Sequence, residues 1–392
     1  MTPTPTDTPS FYVYLPLIWK DYYPSEARAL WVTRWDYTYP EDVQEIVARA
    51  AYANFNIIFF QVRGQADAYY HSNYEPWAER LTGTLGQDPG WDPLATAVEL
   101  AHAAGLELHA WVNVYPVWVT SRGGQAPPQD VTPEHLFWKL SHTYGWADWR
   151  QWDEAGPMLL TDSRPYLWAS PAVTLTVNHI ISVCQDIMTH YEVDGLHLDR
   201  IRYAGPEFSH DPISKARFAE AQMLEPDLTW EDWQRAQVAD LLSQIYEQVI
   251  LTHQDVMLTA AVWPIYRDYW DWIANDGYDG YYQDSQGWMW KDLIDAIAPM
   301  LYTVSTKDYP DRFDVLVRDF VSNANERHVC PGITADYDSF DRIWSRIEIA
   351  RQAGASGQAI FSYSLINKWG YWDEFRNGPY AIPADVPPMP WK

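Results

Sequence analysis

A chain of 392 residues with 53 acidic and 27 basic side chains carries a formal charge of −26, a surface that repels phosphate backbones and makes nucleic acid a poor partner. Its residues are 47% hydrophobic, enough for a large core, yet no apolar run reaches the roughly 18 residues a membrane-crossing helix needs. Trp, Tyr and Phe make up 16% of the chain, and because Trp and Tyr carry a polar atom that seeks water or a partner, many of these rings belong outside a core, where their flat faces suit sugars.

In chain order, MTPTPTDTPS opens a Thr/Pro tract. Such tracts are extended linkers, so residues 1–27 are expected to form a linker and N-terminal extension. Tethers of this composition suit exported proteins, and an extracellular or cell-envelope location is expected, with a leader removed or lying upstream.

From residue 28 to 380, short β-branched and aromatic runs alternate with amphipathic helical patterns. The runs are ALWVTRWD (29–36), NIIFFQVR (56–63), LELHAWVNVY (106–115), GLHLDRIRY (195–203), VMLTAAVWP (256–264), AIAPMLYT (296–303), HVCPGITADY (328–337) and GQAIFSYSL (357–365). Helical patterns between them include PEDVQEIVARAAYA, PLATAVELAHAAG, AVTLTVNHIISVCQDIMTHY, WEDWQRAQVADLLSQIYEQVI and FDRIWSRIEIARQAG. Alternating strands and helices pair in parallel, and eight such units predict a single α/β domain, a (β/α)8 TIM barrel with long βα loops. No G-x-G-x-x-G follows the first strand, which argues against a dinucleotide fold. The tail, AIPADVPPMPWK (381–392), is Pro-rich and expected on the surface. Cys184, in a helical pattern, and Cys330, at a strand start, are expected as two buried thiols rather than a disulfide.

Chemistry in such barrels gathers at the C-terminal ends of the strands. Asp36, Arg63, His109 with Asn113, His197 with Asp199, Trp263, Tyr302, Asp336, and Ser362 with Ser364 fall there. Inserts dense in Tyr, Trp and acids follow the second and fifth strands, as GQADAYYHSNYEPWAERLTGTLGQDPGWDP and IYRDYWDWIANDGYDGYYQDSQGWMW, and would wall a cleft. Within YEVDGLHLDRIRY, alternation puts His197 and Asp199 on one face and Leu196 and Leu198 on the other. An acid at the exit of a buried strand is costly unless something pairs with it or uses it.

The segments FFQVRGQADAYYHSNYEPWAERLTG, DPGWDPLATAVELAHAAGLELHAWVN, VDGLHLDRIRY, WQRAQV, QDSQGWMWKDLIDAIAPMLY and GQAIFSYS, spread over about residues 28 to 366, resemble the glycosyl-hydrolase-like family ten of bacterial exported proteins. That resemblance implies a TIM barrel related to glycoside hydrolases, with members acting on bacterial cell-wall or other glycans. Carried over by motif, the family positions are Gln61, Arg63, Asp67, Tyr70, Ser72, Glu75 and Trp77 on the second strand and its loop. His109, Trp111 and Asn113 follow on the third strand, and Asp194, Gly195, His197, Asp199, Arg202 and Tyr203 on the fourth. Asp284, Trp288 and Tyr302 come later. Two departures stand out: Ala66 replaces the Gly of a Gly-Asp-Ala motif, and Ala204 stands where a Pro follows the Arg-Tyr pair.

The expected enzyme is therefore a glycoside hydrolase, cleaving O-glycosidic bonds of a bacterial cell-wall or other polysaccharide by carboxylic acid/base catalysis. It is expected to act as a monomer with no cofactor and no metal. Such hydrolysis needs two carboxyls, roughly 5 to 10 Å apart across the scissile bond. Asp199 is the first choice; Asp284 is second by motif, Asp336 by barrel geometry, and Asp36 comes third. The competing reading ties Asp199 to Arg200, Arg202 or Arg63, and makes the other acids caps or turn formers. Arg63, Asp67, Glu75, His109, Asn113, His197 and Arg202 are expected to position substrate, while Trp77, Trp111, Trp263, Trp288 and Tyr302 would stack on sugars, core packing being the alternative for Trp111 and a satisfied interior histidine for His109. The rival function is a carbohydrate-binding barrel without efficient catalysis, in which an arginine locks Asp199.

Overall fold

The computed structural model describes residues 24–119, 125–161, 165–272, 274–302 and 307–392, so the Thr/Pro tract expected as a linker lies, up to residue 23, outside them. Nine parallel segments form one sheet: β1 (Ala27–Val32), β2 (Ile57–Arg63), β3 (Glu107–Asn113), β4 (Gly195–Asp199), β5 (Met257–Val262), β6 (Ala296–Pro299), β7 (His328–Val329), β8 (Gly332–Thr334) and β9 (Gly357–Phe361). β7 and β8 sit at the two ends of the strand order, yet only Cys330 and Pro331 separate them in the chain. Cys330 N donates to Ile297 O of β6 at 2.9 Å, and Pro331 O accepts from Ala359 N of β9 at 3.1 Å. One strand thus bridges both neighbours and closes the ring; it splits at Pro331, which has no N–H to continue the ladder. The predicted eight-stranded barrel is the fold.

Outside the ring run α1 (Pro40–Tyr52), α2 (Pro93–Ala103), α3 (Thr174–His190), α4 (Trp230–Ile245), α5 (Ser285–Trp290), α6 (Pro310–Ser322) and α7 (Asp341–Gln352). α6 is not among the helices expected from sequence, although Phe313, Leu316, Val317 and Phe320 mark one buried helical face. After β3 the chain inserts an antiparallel pair, Pro116–Val119 with Tyr166–Trp168, which stands over the barrel mouth beside β4.

Strand alternation sorts the core into two layers. Leu30, Val32, Ile58 and Phe60 face the helices, while Ala29, Trp31, Ile57, Phe59 and Trp111 fill the barrel. Cys184 and Cys330 are free and buried, as expected, and burial pushes both thiols up to about 12.

The C-terminal tail does more than cross the surface. Arg28 donates to Ile382 O at 2.7 Å, Asn56 to Ala384 O at 2.9 Å, and Trp391 Nε1 to Asp295 Oδ1 at 2.9 Å. Lys392 Nζ lies 2.8 Å from Asp295 Oδ2, both side chains being buried. Every partner precedes or begins a barrel strand, so the tail straps the N-terminal end of the ring. Trp391→Ala is expected to cost about 1–3 kcal/mol, from a half-buried ring and one hydrogen bond, and to leave chemistry at the opposite end untouched. A thermal melt indistinguishable from that of the parent chain would contradict this role.

Candidate active site

Asp199 ends β4 on the inward face, two residues beyond His197, and is half-buried. Its Oδ1 accepts the backbone N–H of Arg200 at 2.6 Å. Arg200 has φ of 55°, a left-handed conformation that costs a non-glycine residue about 1–2 kcal/mol and that concentrates at functional sites. The three arginines that could neutralise Asp199 are engaged elsewhere. Arg63 pairs with Glu75, with Nη2 to Oε1 at 2.8 Å. Arg200 lies over the Tyr166 ring at 4.5 Å, and Arg202 over Trp263 at 5.1 Å and Tyr281 at 4.9 Å. Among the described residues, Asp199 has no ion pair.

Beneath Asp199 the barrel is filled by buried side chains. His197 is fully buried and stacked on Phe59 at 4.0 Å. Its Nε2 accepts from Trp31 Nε1 at 2.9 Å, so Nδ1 carries the proton and faces Thr259 Oγ1 at 2.8 Å. Burial, with His109 nearby, pushes its pKa far down, and it stays neutral. His109 sits lower still, fully buried, with Nε2 3.1 Å from Glu107 Oε2. Its ring lies on Gly195, where a Cβ would fall 2.3 Å from Nδ1, which is why a glycine begins β4. Trp111 donates to Asn113 Oδ1 at 3.1 Å, and Asn113 donates to Gly64 O at 3.0 Å, both residues being buried. These four groups build the interior and the rim; the protein itself uses their polar atoms except His109 Nδ1, which is buried without a partner among the described residues.

The second strand and its loop also turn inward. Arg63 and Glu75 are fully buried, and His179 of α3 reaches Glu75 Oε1 at 2.9 Å. Burial raises the Glu75 carboxyl, but the Arg63 charge and the His179 hydrogen bond outweigh it and hold the carboxyl at about 2. Asp67 is buried, and its Oδ1 closes the turn by accepting from Gln65 N at 2.9 Å and Gly64 N at 3.2 Å. Between them Ala66, which departs from the family's glycine, adopts φ of 60°. Trp77 is half-buried against the outer core, and Trp288 is fully buried in it, which withdraws Trp288 from the sugar-stacking role expected of it.

The remaining acids have partners. Asp284 caps α5, with Oδ1 accepting from Gly287 N at 3.1 Å and Tyr266 OH at 2.8 Å. Asp336 lies between Lys368 Nζ at 2.7 Å and Lys307 Nζ at 3.3 Å. The Lys368 hydrogen bond, then that of Trp369, hold its carboxyl at about 2, the state of an ionised group and not of a proton donor. Asp36 closes its own loop on Thr33, N to Oδ2 at 2.7 Å, and burial raises its carboxyl. Because the Asp336 pairs are exposed, Asp336→Asn is expected to change stability by no more than about 1 kcal/mol. Its turnover should stay within a few-fold of the parent, and a loss of two orders of magnitude would place Asp336 in the chemistry.

A cleft of about 340 Å³ opens past the end of β4, lined among others by Tyr166, Trp168, Arg200, Arg202, Glu207, Trp263 and Tyr281; Asp199 itself, one residue before Arg200, is not part of the lining. Of the predicted residues, Arg202 and Trp263 stand in it. Tyr302 stands apart on Phe361 at 5.1 Å, half-buried, and burial with Asp199 nearby raises its hydroxyl far above the ordinary value. Glu207, Trp168, Tyr166 and Tyr281 are cleft residues that sequence reasoning did not single out, and Arg200 entered it only as a possible salt-bridge partner of Asp199. For Glu207 a signal existed: Gly205 lies two residues before it, and a Cβ there would fall 2.5 Å from Glu207 Oε2, so the glycine lets the carboxyl fold close.

A model of the family described as glycosyl hydrolase-like 10 matches residues 26–333. The chain is similar to glycosyl hydrolase YngK of Bacillus subtilis (strain 168), 28% identical over 381 residues, covering 90% of this chain and 67% of that protein. It is 26% identical over 271 residues to glycosyl hydrolase DigH of Escherichia coli (strain K12), covering 67% of this chain and 58% of that one, so it spans little more than half of DigH. Among solved structures, the PgaB (BpsB) glycoside hydrolase domain from Bordetella bronchiseptica matches with a TM-score of 0.62 at 13% identity, over 90% of this chain and 98% of that one. The catalytic domain of β-amylase from Paenibacillus polymyxa matches with a TM-score of 0.60 at 11% identity, over 88% and 95%. At these identities the structural likenesses speak for the fold.

Proposed function

The chain belongs to the glycosyl hydrolase-like 10 family, and on that premise we propose that it hydrolyses O-glycosidic bonds of a bacterial cell-wall or other polysaccharide by carboxylic acid/base catalysis. The observation that carries this reading is Asp199: a half-buried acid at the C-terminal end of a barrel strand, one residue before an aromatic cleft, with Arg63, Arg200 and Arg202 each engaged by other groups. Chemistry in this fold resides at that end of the strands. An acid with no ion pair among the described residues keeps its lone pairs for a ligand.

Cleavage needs a proton delivered to the leaving oxygen while a second carboxyl drives water, or itself, onto the anomeric carbon. Asp199 is one of the pair, and Glu207, the acid on the cleft wall, is assigned as its companion. Trp263 and Tyr281 supply flat faces for the sugar rings, and His197, locked neutral beneath Asp199, holds the strand end fixed. The enzyme works as a monomer in the extracellular space or cell envelope; no helix among the described residues is long and apolar enough to cross a membrane. The test is release of reducing ends from a glycan panel that includes peptide-free cell-wall strands. Turnover by the parent chain, lost in Asp199→Asn and in Glu207→Gln, supports the assignment. Glycan binding with no turnover by the parent would leave a carbohydrate-binding barrel instead.

A further inference from the structure

A second cleft, of about 290 Å³, lies in the insert after β3, walled by the helix Leu136–Tyr144 and by the antiparallel pair. Leu167 of that pair lines it, whereas the flanking Tyr166 and Trp168 line the cleft past β4, so the pair stands between the two. Phe137, Trp146 and Leu159 continue the walls, and Gln125 and Arg150 bring the polar groups. Trp146 is 56% and Leu159 63% exposed, which leaves the mouth apolar and open to water.

Arg150, 6% exposed, packs its guanidinium against the rings of Phe137 at 5.7 Å, Trp146 at 5.1 Å and Trp149 at 5.4 Å. Among the described residues its side chain makes no ion pair and donates no hydrogen bond, and its Nε is buried without a partner. The other buried arginines differ. Arg28, Arg63 and Arg235 hold acids, and Arg34 donates to Tyr166 OH. Arg202 and Arg346 have no ion pair among the described residues, yet they donate to the carbonyls of Tyr203 and Lys307. A cation taken from water with neither acid nor carbonyl loses more than the rings give back. Burial alone brings its pKa down to about 10. The rings also hold the planar fork in one orientation, so little freedom is lost when an anion takes its N–H groups. A sugar suits this cleft badly: its hydroxyls would meet leucine walls, and the Trp118 indole N–H is already given to Gln125 O at 2.7 Å.

We propose that this second cleft binds a carboxylate carried on an apolar body, such as an aliphatic acid or the C-terminus of an apolar peptide. Arg150 receives the carboxylate, which accepts two parallel N–H bonds from one guanidinium, and Trp146 with the leucines covers the body. The volume lies near the lower end of the range for small-molecule pockets, about 300 to 1,000 Å³, which suits a short ligand. The site is separate from the cleft past β4 and does not depend on the hydrolase reading.

The test is calorimetric titration of the full chain with two matched pairs: octanoate against octanamide, and an N-acetylated leucine dipeptide with a free C-terminus against its amide. At least tenfold tighter binding of the carboxylate member of one pair is expected, weakening as salt rises, and the pair that shows it identifies the source of the carboxylate. Acetate, which has the charge without the body, should bind at least tenfold more weakly than octanoate if the aliphatic pair responds. Arg150→Gln should erase the preference, and Arg150→Lys, which keeps the charge without the fork, should retain only part of it. Trp146→Ala alters an exposed ring and so should fold; it should weaken both members of the responding pair several-fold, which tests the cleft even where an arginine variant misfolds. Arg202→Gln, in the other cleft, should leave the preference intact. Equal affinity within both pairs, absence of binding to all four probes, affinity unchanged by Trp146→Ala, or a preference that survives Arg150→Gln or is lost in Arg202→Gln overturns the proposal.

Discussion

Asp199→Asn is expected to lower turnover roughly a hundred- to ten-thousand-fold, the range lost when a positioned proton-transfer group is removed. Its melting temperature should scarcely move. Asn keeps the shape and the oxygen that accepts the Arg200 N–H, and no ion pair is broken because none among the described residues reaches Asp199. The stability change should therefore stay within about 0.5 kcal/mol, as for substitutions away from a buried network. The rival reading predicts the opposite pattern: an arginine-locked Asp199 would leave a stranded cation on removal, costing about 3–5 kcal/mol with no turnover to lose. Reducing-end release and a thermal melt on the same two samples separate the readings, and parent-level turnover in the variant refutes the catalytic role.

How much of this was legible depended on the range of the signal. Each strand announced itself locally, as a short β-branched run, and even the broken β7–β8 strand carries its cause in Pro331. Asp199 was legible because alternation and strand-end position are both local properties. Which tryptophan is wet was not: Trp263 and Trp288 lie in similar aromatic sequence, yet the first lines the cleft and the second is fully buried, a difference decided by how the insert folds. The clamp on Asp336 uses Lys307 from the loop before α6 and Lys368 from a short helix after β9, and no pattern around Asp336 points to them. By contrast, the Asp284 cap was readable, since an Asp bonding to the N–H three residues on marks a helix start. Tyr166 and Trp168 reach the cleft through an antiparallel pair whose partner strand lies far back in the insert, a long-range pairing without periodicity to betray it.

The other large effect lies away from the cleft, in the charge cluster under the second βα loop. Glu75→Gln leaves the Arg63 guanidinium fully buried with no anion, and is expected to cost about 3–5 kcal/mol at neutral pH. His179 cannot replace the missing charge; burial lowers its pKa, so it enters the cluster neutral, with its Nε2 proton directed at Glu75. The direction of the pH effect follows from Glu75 being held at about 2 against an ordinary 4.5. A carboxyl with a depressed folded-state pKa contributes fully above its unfolded value and loses that contribution as pH falls through the folded one. The parent chain should thus shed this stability between about pH 4.5 and 2, whereas Glu75→Gln, having none to shed, should show a flatter acid limb in that window. Replacing both partners together, as Arg63→Met with Glu75→Leu, should recover much of the loss, because well-packed apolar groups can stand in for a buried pair once neither charge remains. If the double variant melts no higher than Glu75→Gln alone, the cluster is doing something other than neutralising itself, and the sugar-positioning role first expected of Arg63 and Glu75 regains its force.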